Sequence, residues 1–185
     1  MSAKREVFIS VDVETAGPIP GEFSLLSIGA CAVFDPMSTF SCELKPINHN
    51  ADPKALEVAG FSLDELARTG LDPSEAMRGF RDWLATAAGV EGILVFVGFN
   101  APFDWSFVNY YFHRFSDGNP FGFTALDIKA LYMGATGCDW ADTRSSKITE
   151  RLKPILVGDH NALRDAQFQA EVFRLVLSQL IESRG

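Results

Sequence analysis

Three apolar runs of strand-forming residues crowd the first 44 positions, and helical periodicity then alternates with shorter apolar runs. That order limits the chain to a mixed α/β fold with helices covering a sheet. Residues 7–13 put β-branched and apolar side chains on alternate positions, as a buried strand does, and 16–21 then supply concentrated Gly and Pro turn chemistry. Residues 26–34 and 39–44 read as two more strands parted by Asp35-Pro36, the pattern of an antiparallel meander. Residues 53–59 and 62–67 read as short helices, and a longer one starts at Asp72-Pro73, where Ala76, Phe80, Trp83, Leu84 and Ala87 recur at helical spacing. Residues 92–99 predict an apolar strand, followed almost at once by an aromatic-rich helix over 102–115; residues 124–128 predict a short strand before a small helix. Gly, Asp, Thr and Ser concentrate in 134–147, which reads as a mobile loop. A last amphipathic helix over 161–183 carries Leu163, Phe168, Val172, Leu175, Val176 and Leu180 at three- and four-residue intervals. No repeat or linker interrupts this order, so one domain is expected over 1–185, with its core at about 7–180.

Hydrophobic residues make up 47% of the 185, against 22% charged, which excludes a disordered chain. No apolar run approaches the roughly 18 residues of a membrane helix, and the first 13 residues lack the cationic start and cleavage site of a signal peptide. A soluble, cytoplasmic protein with no membrane partner is expected. Cys31, Cys42 and Cys138 are scattered and form no CxxC pair, so reduced thiols are expected rather than a disulfide framework or a thiolate zinc site. Sixteen basic and twenty-four acidic residues give a net charge of −8, a surface that repels a long polyanion such as duplex DNA. Part of that excess is equally consistent with carboxylates gathered to hold divalent cations.

Three short segments carry chemistry. Asp12 and Glu14 lie two apart at the carboxyl end of the first strand, so the pleat sends both carboxylates to one face. Like charges held side by side suit Mg²⁺ or Mn²⁺, although a strand end meeting solvent produces the same spacing. Asn100-Ala-Pro-Phe-Asp104 sits where a strand turns into a helix, which puts Asp104 in the first helical turn, as a cap or as a ligand at a strand's carboxyl end. His160-Asn-Ala-Leu-Arg-Asp165 opens the last helix, with His160 on the loop before it and Asp165 in its first turn.

Taken in order, these segments resemble the motifs of the DnaQ-like, or DEDD, 3′-to-5′ exonucleases, which share a ribonuclease H-like fold. Asp12-Val-Glu14-Thr15 is similar to the family's DxET motif, Asn100-Ala-Pro-Phe-Asp104 to NxxFD, and His160-Asn-Ala-Leu-Arg-Asp165 to HxAxxD, the mark of the DEDDh subclass. The run from Asp12 to Gly17 looks most like the ribonuclease T branch. Two positions depart from the pattern: Phe99 stands where His often precedes the Asn, and Ser27 where Glu often lies in the second strand.

The resemblance implies a five-stranded mixed sheet flanked by helices and hydrolysis of single-stranded DNA or RNA from its 3′ end to nucleoside 5′-monophosphates. It also implies two divalent cations, Mg²⁺ or Mn²⁺, held by Asp12, Glu14, Asp104 and Asp165, with Asp12 between them and His160 as the base that takes a proton from water. Relatives are often homodimers. Thr15, Asn100, Trp105 and Trp140 are the expected substrate contacts; the two tryptophans offer stacking faces, whereas Phe103, Phe107, Tyr110 and Tyr111 share one helical stripe and are expected to pack in the core. Arg114, Arg144, Lys147 and Arg151 are the basic residues expected near the opening, or on a solvated face. Two alternatives share the fold: an oligoribonucleotide or dinucleotide phosphodiesterase, and an inactive nucleic-acid-binding or polymerase-associated subunit.

Overall fold

A computed structural model describes residues 5–182. Five strands, β1 (Glu6–Thr15), β2 (Leu25–Ala32), β3 (Asp35–Glu43), β4 (Ile93–Gly98) and β5 (Ala125–Asp127), form one sheet in the order β3-β2-β1-β4-β5. β1, β2 and β3 are an antiparallel meander, while β4 and β5 join β1 in parallel. Parallel pairing requires crossovers. The first runs through α1 (Pro53–Ala59), α2 (Leu63–Thr69) and α3 (Pro73–Ala88), and the second through α4 (Pro102–Phe115). After β5 come α5 (Ile128–Thr136), α6 (Ser145–Leu152) and α7 (Ala162–Glu182). Ser183, at the expected end of the last helix, lies outside the described residues.

The pleat of β1 divides the core in two. Ile9, Val11 and Val13 point to one face and join Phe80 of α3 with Phe107, Tyr111 and Phe112 of α4 in the larger cluster. Phe8 points the other way, into a cluster with Ile128, Ile148, Phe168, Val172 and Phe173 from α5, α6 and α7. Asp12 and Glu14 share that second face by the same alternation, so the long helix α7 covers the lower part of the face and its first turns meet the carboxylates.

Gly29 makes that approach close. It pairs with Asp12 across β1 and β2, and a Cβ on it would lie 2.0 Å from the carbonyl carbon of Ala162 and 2.1 Å from the nitrogen of Leu163. Both atoms are backbone, so nothing can rotate away. Gly29→Ala is therefore expected to destabilise the fold by about 2 kcal/mol or more, a fall in Tm of roughly 4–8 °C in a thermal melt. An unchanged Tm would mean that α7 sits less tightly on the sheet than described.

Two sequence expectations change. The turn between β2 and β3 falls at Val33-Phe34, not Asp35-Pro36, because buried Val33 donates its N–H to the Phe8 carbonyl (2.9 Å) and so stays attached to the sheet. The segment 134–147, expected as a mobile loop, is mostly helical: the end of α5, a 3₁₀ turn over Trp140–Thr143, and the start of α6. Its small polar residues act as structure formers. Gly137 ends α5 in a left-handed conformation (φ 67°), and buried Thr143 donates its hydroxyl to the Trp140 carbonyl (2.8 Å).

Candidate active site

Each acidic residue is brought in by a different local device. Asp12 and Glu14 come from the carboxyl end of β1, beyond the stretch of it that β4 pairs with. Asp104 comes from the first turn of α4, which begins almost directly after β4 because Asn100 takes a left-handed backbone (φ 66°) and Pro102 opens the helix. Asp104 is buried, and its Oδ1 accepts the backbone N–H of Val13 (3.1 Å), between the two acidic residues of β1. Asp165 stands in the first turn of α7, where its two oxygens accept the N–H groups of Asp159 (2.9 Å) and His160 (3.1 Å). Those bonds close the loop before α7 onto the helix, with His160 itself left-handed (φ 61°).

One ligand atom each from Glu14, His160 and Asp165 lies within 4.8 Å of the others. Asp12 feels Asp104, Asp165 and Glu14 at once: its carboxyl is held well above the usual range, first by burial and then by those three neighbours in that order, with the Gln169 amide pulling the other way. Burial, then Asp165, lifts Glu14 to about 7. Burial lifts Asp104 to about 8, against two backbone hydrogen bonds and with help from Glu14 and Asp127. Asp165 is also raised, by burial first, while the N–H groups of Asp159 and His160 oppose the shift. Four carboxylates repelling one another in a partly dry site are a donor set that fits hard divalent cations, whose charge would offset both the burial and the repulsion.

Two clefts flank this cluster. One, of about 290 Å³, is lined by Asp12, Phe99, Ser145, His160, Asp165 and Gln169. The other, of about 380 Å³, is lined by Glu14 with Thr15, Pro18, Lys54, Val58 and Phe103. Phe103 thus lies at the margin of the core with one side toward the cleft, and Tyr110 is likewise half-buried; Phe107 and Tyr111 are core residues as expected.

The remaining expected contacts are dispersed. Thr15 is buried beside Glu14 with its hydroxyl donating to the Gly17 carbonyl (2.9 Å). Asn100 is exposed, and its carbonyl accepts the Phe103 N–H (3.1 Å). Trp105 lines neither cleft: its ring packs on the larger core cluster, and its indole N–H is buried without a partner among the described residues. Trp140 is 54% exposed and carries the Lys129 ammonium 4.4 Å above its ring, also outside both clefts. Of the two departures, Ser27 pairs with Glu14 across the sheet, and Phe99 lines the first cleft.

Gln169 was not legible as a site residue. It is 5% exposed, donates from Nε2 to Asp12 Oδ1 (2.6 Å), and accepts the Phe99 N–H on Oε1 (2.8 Å). The available signal was helical spacing, since Gln169 follows Asp165 by four and shares its face of α7.

No protein-family model matches the chain. It is 54% identical over 176 residues to the 3′-5′ DNA exonuclease Cap18 of Escherichia coli, which spans 95% of this chain and 94% of that protein. The chain belongs to the 3′-5′ exonucleases. The structure of this exonuclease is similar to the nuclease domain of 3′hExo, a DEDDh family member solved bound to rAMP, with a TM-score of 0.73 over 98% of this chain and 94% of that one at 12% identity. It is also similar to Escherichia coli exonuclease I in complex with a dT13 oligonucleotide, with a TM-score of 0.70 at 16% identity over 97% of this chain and 42% of that one. The DnaQ-like resemblance read from three motifs, and the five-stranded ribonuclease H-like sheet it implied, are therefore borne out. Among the described residues no helix is long and apolar enough to cross a membrane.

Proposed function

We propose that this exonuclease acts as one domain that removes nucleoside 5′-monophosphates from the 3′ end of single-stranded DNA in a divalent-cation-dependent reaction. The observation that carries this reading is the convergence of Asp12, Glu14, Asp104 and Asp165, from three separate segments, beside the His160 imidazole. These four carboxylates would hold two cations, Mg²⁺ or Mn²⁺, which when bound make water a stronger nucleophile and stabilise the leaving 3′ oxygen. A ring nitrogen of His160 lies within one water's reach of Glu14 and Asp165, so it takes the proton that the attacking water must lose. His160→Ala is expected to lower kcat by ~10²-fold with Mn²⁺ affinity largely retained. Turnover near that of the parent protein would remove His160 from the mechanism.

The cleft beside Glu14 suits the terminal nucleoside, with Phe103 offering an aromatic wall and Thr15 at its edge. Trp140 offers a stacking face for a base farther along the strand, and Trp105 acts through the packing of α4. DNA is preferred over RNA because the 54% identical relative is a DNA exonuclease. A net charge of −8 favours a single strand engaged through few phosphates. Free Cys31, Cys42 and Cys138 suit a reducing cytoplasm.

The test is 5′-labelled single-stranded DNA and RNA, long and dinucleotide, incubated with Mg²⁺, Mn²⁺ or EDTA. A single-nucleotide ladder descending from the DNA 3′ end, absent in EDTA, is expected. Faster cleavage of the dinucleotide would favour the phosphodiesterase alternative, and no cation-dependent product from any substrate would overturn the proposal.

A further inference from the structure

We infer that Gln169 is a positioning residue whose single side-chain amide ties together the three chain segments that bear the four carboxylates. It stands on α7 one helical turn after Asp165, donates to Asp12 on β1, and accepts from Phe99, the residue before the Asn100 turn that leads into Asp104. Helical spacing puts Gln169 on the Asp165 face of α7, but its links to Asp12 and Phe99 exist only through space.

The direction of the amide is decided by its partners. A backbone N–H can only donate, so the Phe99 contact must be to the carbonyl oxygen Oε1, and the NH₂ group is left facing Asp12. That donor occupies one lone-pair direction of Oδ1 and steers the Asp12 carboxylate, leaving Oδ2 and the other lone pair of Oδ1 for the cleft. With the amide itself buried, neither bond competes freely with water. The same amide holds the carboxyl end of β4 against α7. Among the described residues no other side-chain hydrogen bond joins α7 to β1 or to the Phe99–Asn100 segment. Side chains that orient a ligand typically change cation affinity or activity by 10- to 100-fold when removed.

The test uses the full chain carrying Gln169→Leu, similar in size but without donor or acceptor. Calorimetric titration of the cation-free protein with Mn²⁺ is expected to show a Kd raised ~10-fold. Exonuclease assays well below the Tm of the variant are expected to show kcat lowered ~10- to 100-fold, with KM changed less than about threefold. A merely structural role would lower Tm and leave both quantities of the folded protein unchanged, and that result would overturn the inference. Should the leucine variant fail to fold, Gln169→Met offers an unbranched side chain of similar length that has no hydrogen-bond donor for Asp12. It is expected to fold and to lose at least ~10-fold in kcat, and full kcat there would also overturn the inference. The kcat expectation rests on the exonuclease reading, whereas the Mn²⁺ titration does not. A parent protein that degrades nothing would sink that reading and leave the titration to decide the role of Gln169.

Discussion

Asp12→Asn is expected to lower the rate of 3′-terminal cleavage by roughly 10³-fold, several kcal/mol of barrier, while the protein remains folded. Asp12 is the one carboxylate that feels all three others, so its charge contributes to every cation position the cluster can offer. Asparagine has nearly the same shape and keeps an oxygen for the Gln169 Nε2 donor, so the hydrogen bond that crosses from α7 survives. What changes is charge: the donor set drops from four anionic groups to three. Single-turnover cleavage of a labelled single strand at saturating Mg²⁺, beside a thermal melt, separates the two effects. Activity within about tenfold of the parent at an unchanged Tm would mean that Asp12 is not central to the chemistry.

Asp104→Asn is expected to abolish most activity and yet stabilise the cation-free protein, by about 2 kcal/mol or roughly 4–8 °C at pH near 8. The side chain is 5% exposed, and burial raises its carboxyl to about 8. In the unfolded chain the same group ionises at its ordinary pKa of about 3.9. Between those values the folded state binds a proton that the unfolded state does not. Stability contributed by this group therefore grows as pH falls from about 8 toward 4 and is lost as pH rises through 8. Asparagine carries no such charge, and its oxygen can still accept the Val13 N–H. Melts in EDTA from about pH 5 to 9 are expected to show the variant's advantage shrinking as the solution is acidified. Equal Tm values across the whole range would show that the buried charge is compensated by something other than a cation. The same proton competition requires Mn²⁺ affinity of the parent to rise with pH through this range.

The alternation of residues 7–13, the Pro at position 102 and the three- and four-residue spacing over 161–183 are local patterns, and the strands and helices they imply are present. The elements that carry the four acidic residues and His160 were legible for a related reason: each motif couples a chemical group to its local element, a strand end, a first helical turn or a loop before a helix. Segment 134–147 misled because Gly, Thr and Ser look the same whether they cap a helix or loosen a loop. Buried Ile148 makes that choice by joining a cluster with Phe168 and Phe173 of the distant helix α7. The Val33-Phe34 turn likewise depends on a bond to Phe8, far away in sequence.

Sequence alone determined the five strands and most of the helices, though not the helical course of 134–147, and which face of β1 carries acid, because pleat and helix periodicities operate over a few residues. Only the tertiary structure decided that the carboxylates share one space, that Gly29 admits α7 to within backbone contact, and that Gln169 links segments up to 157 residues apart. It also left Trp105 and Trp140 outside both clefts. Those outcomes depend on how closely packed elements approach, a matter of volumes and buried partners that no spacing along the chain encodes.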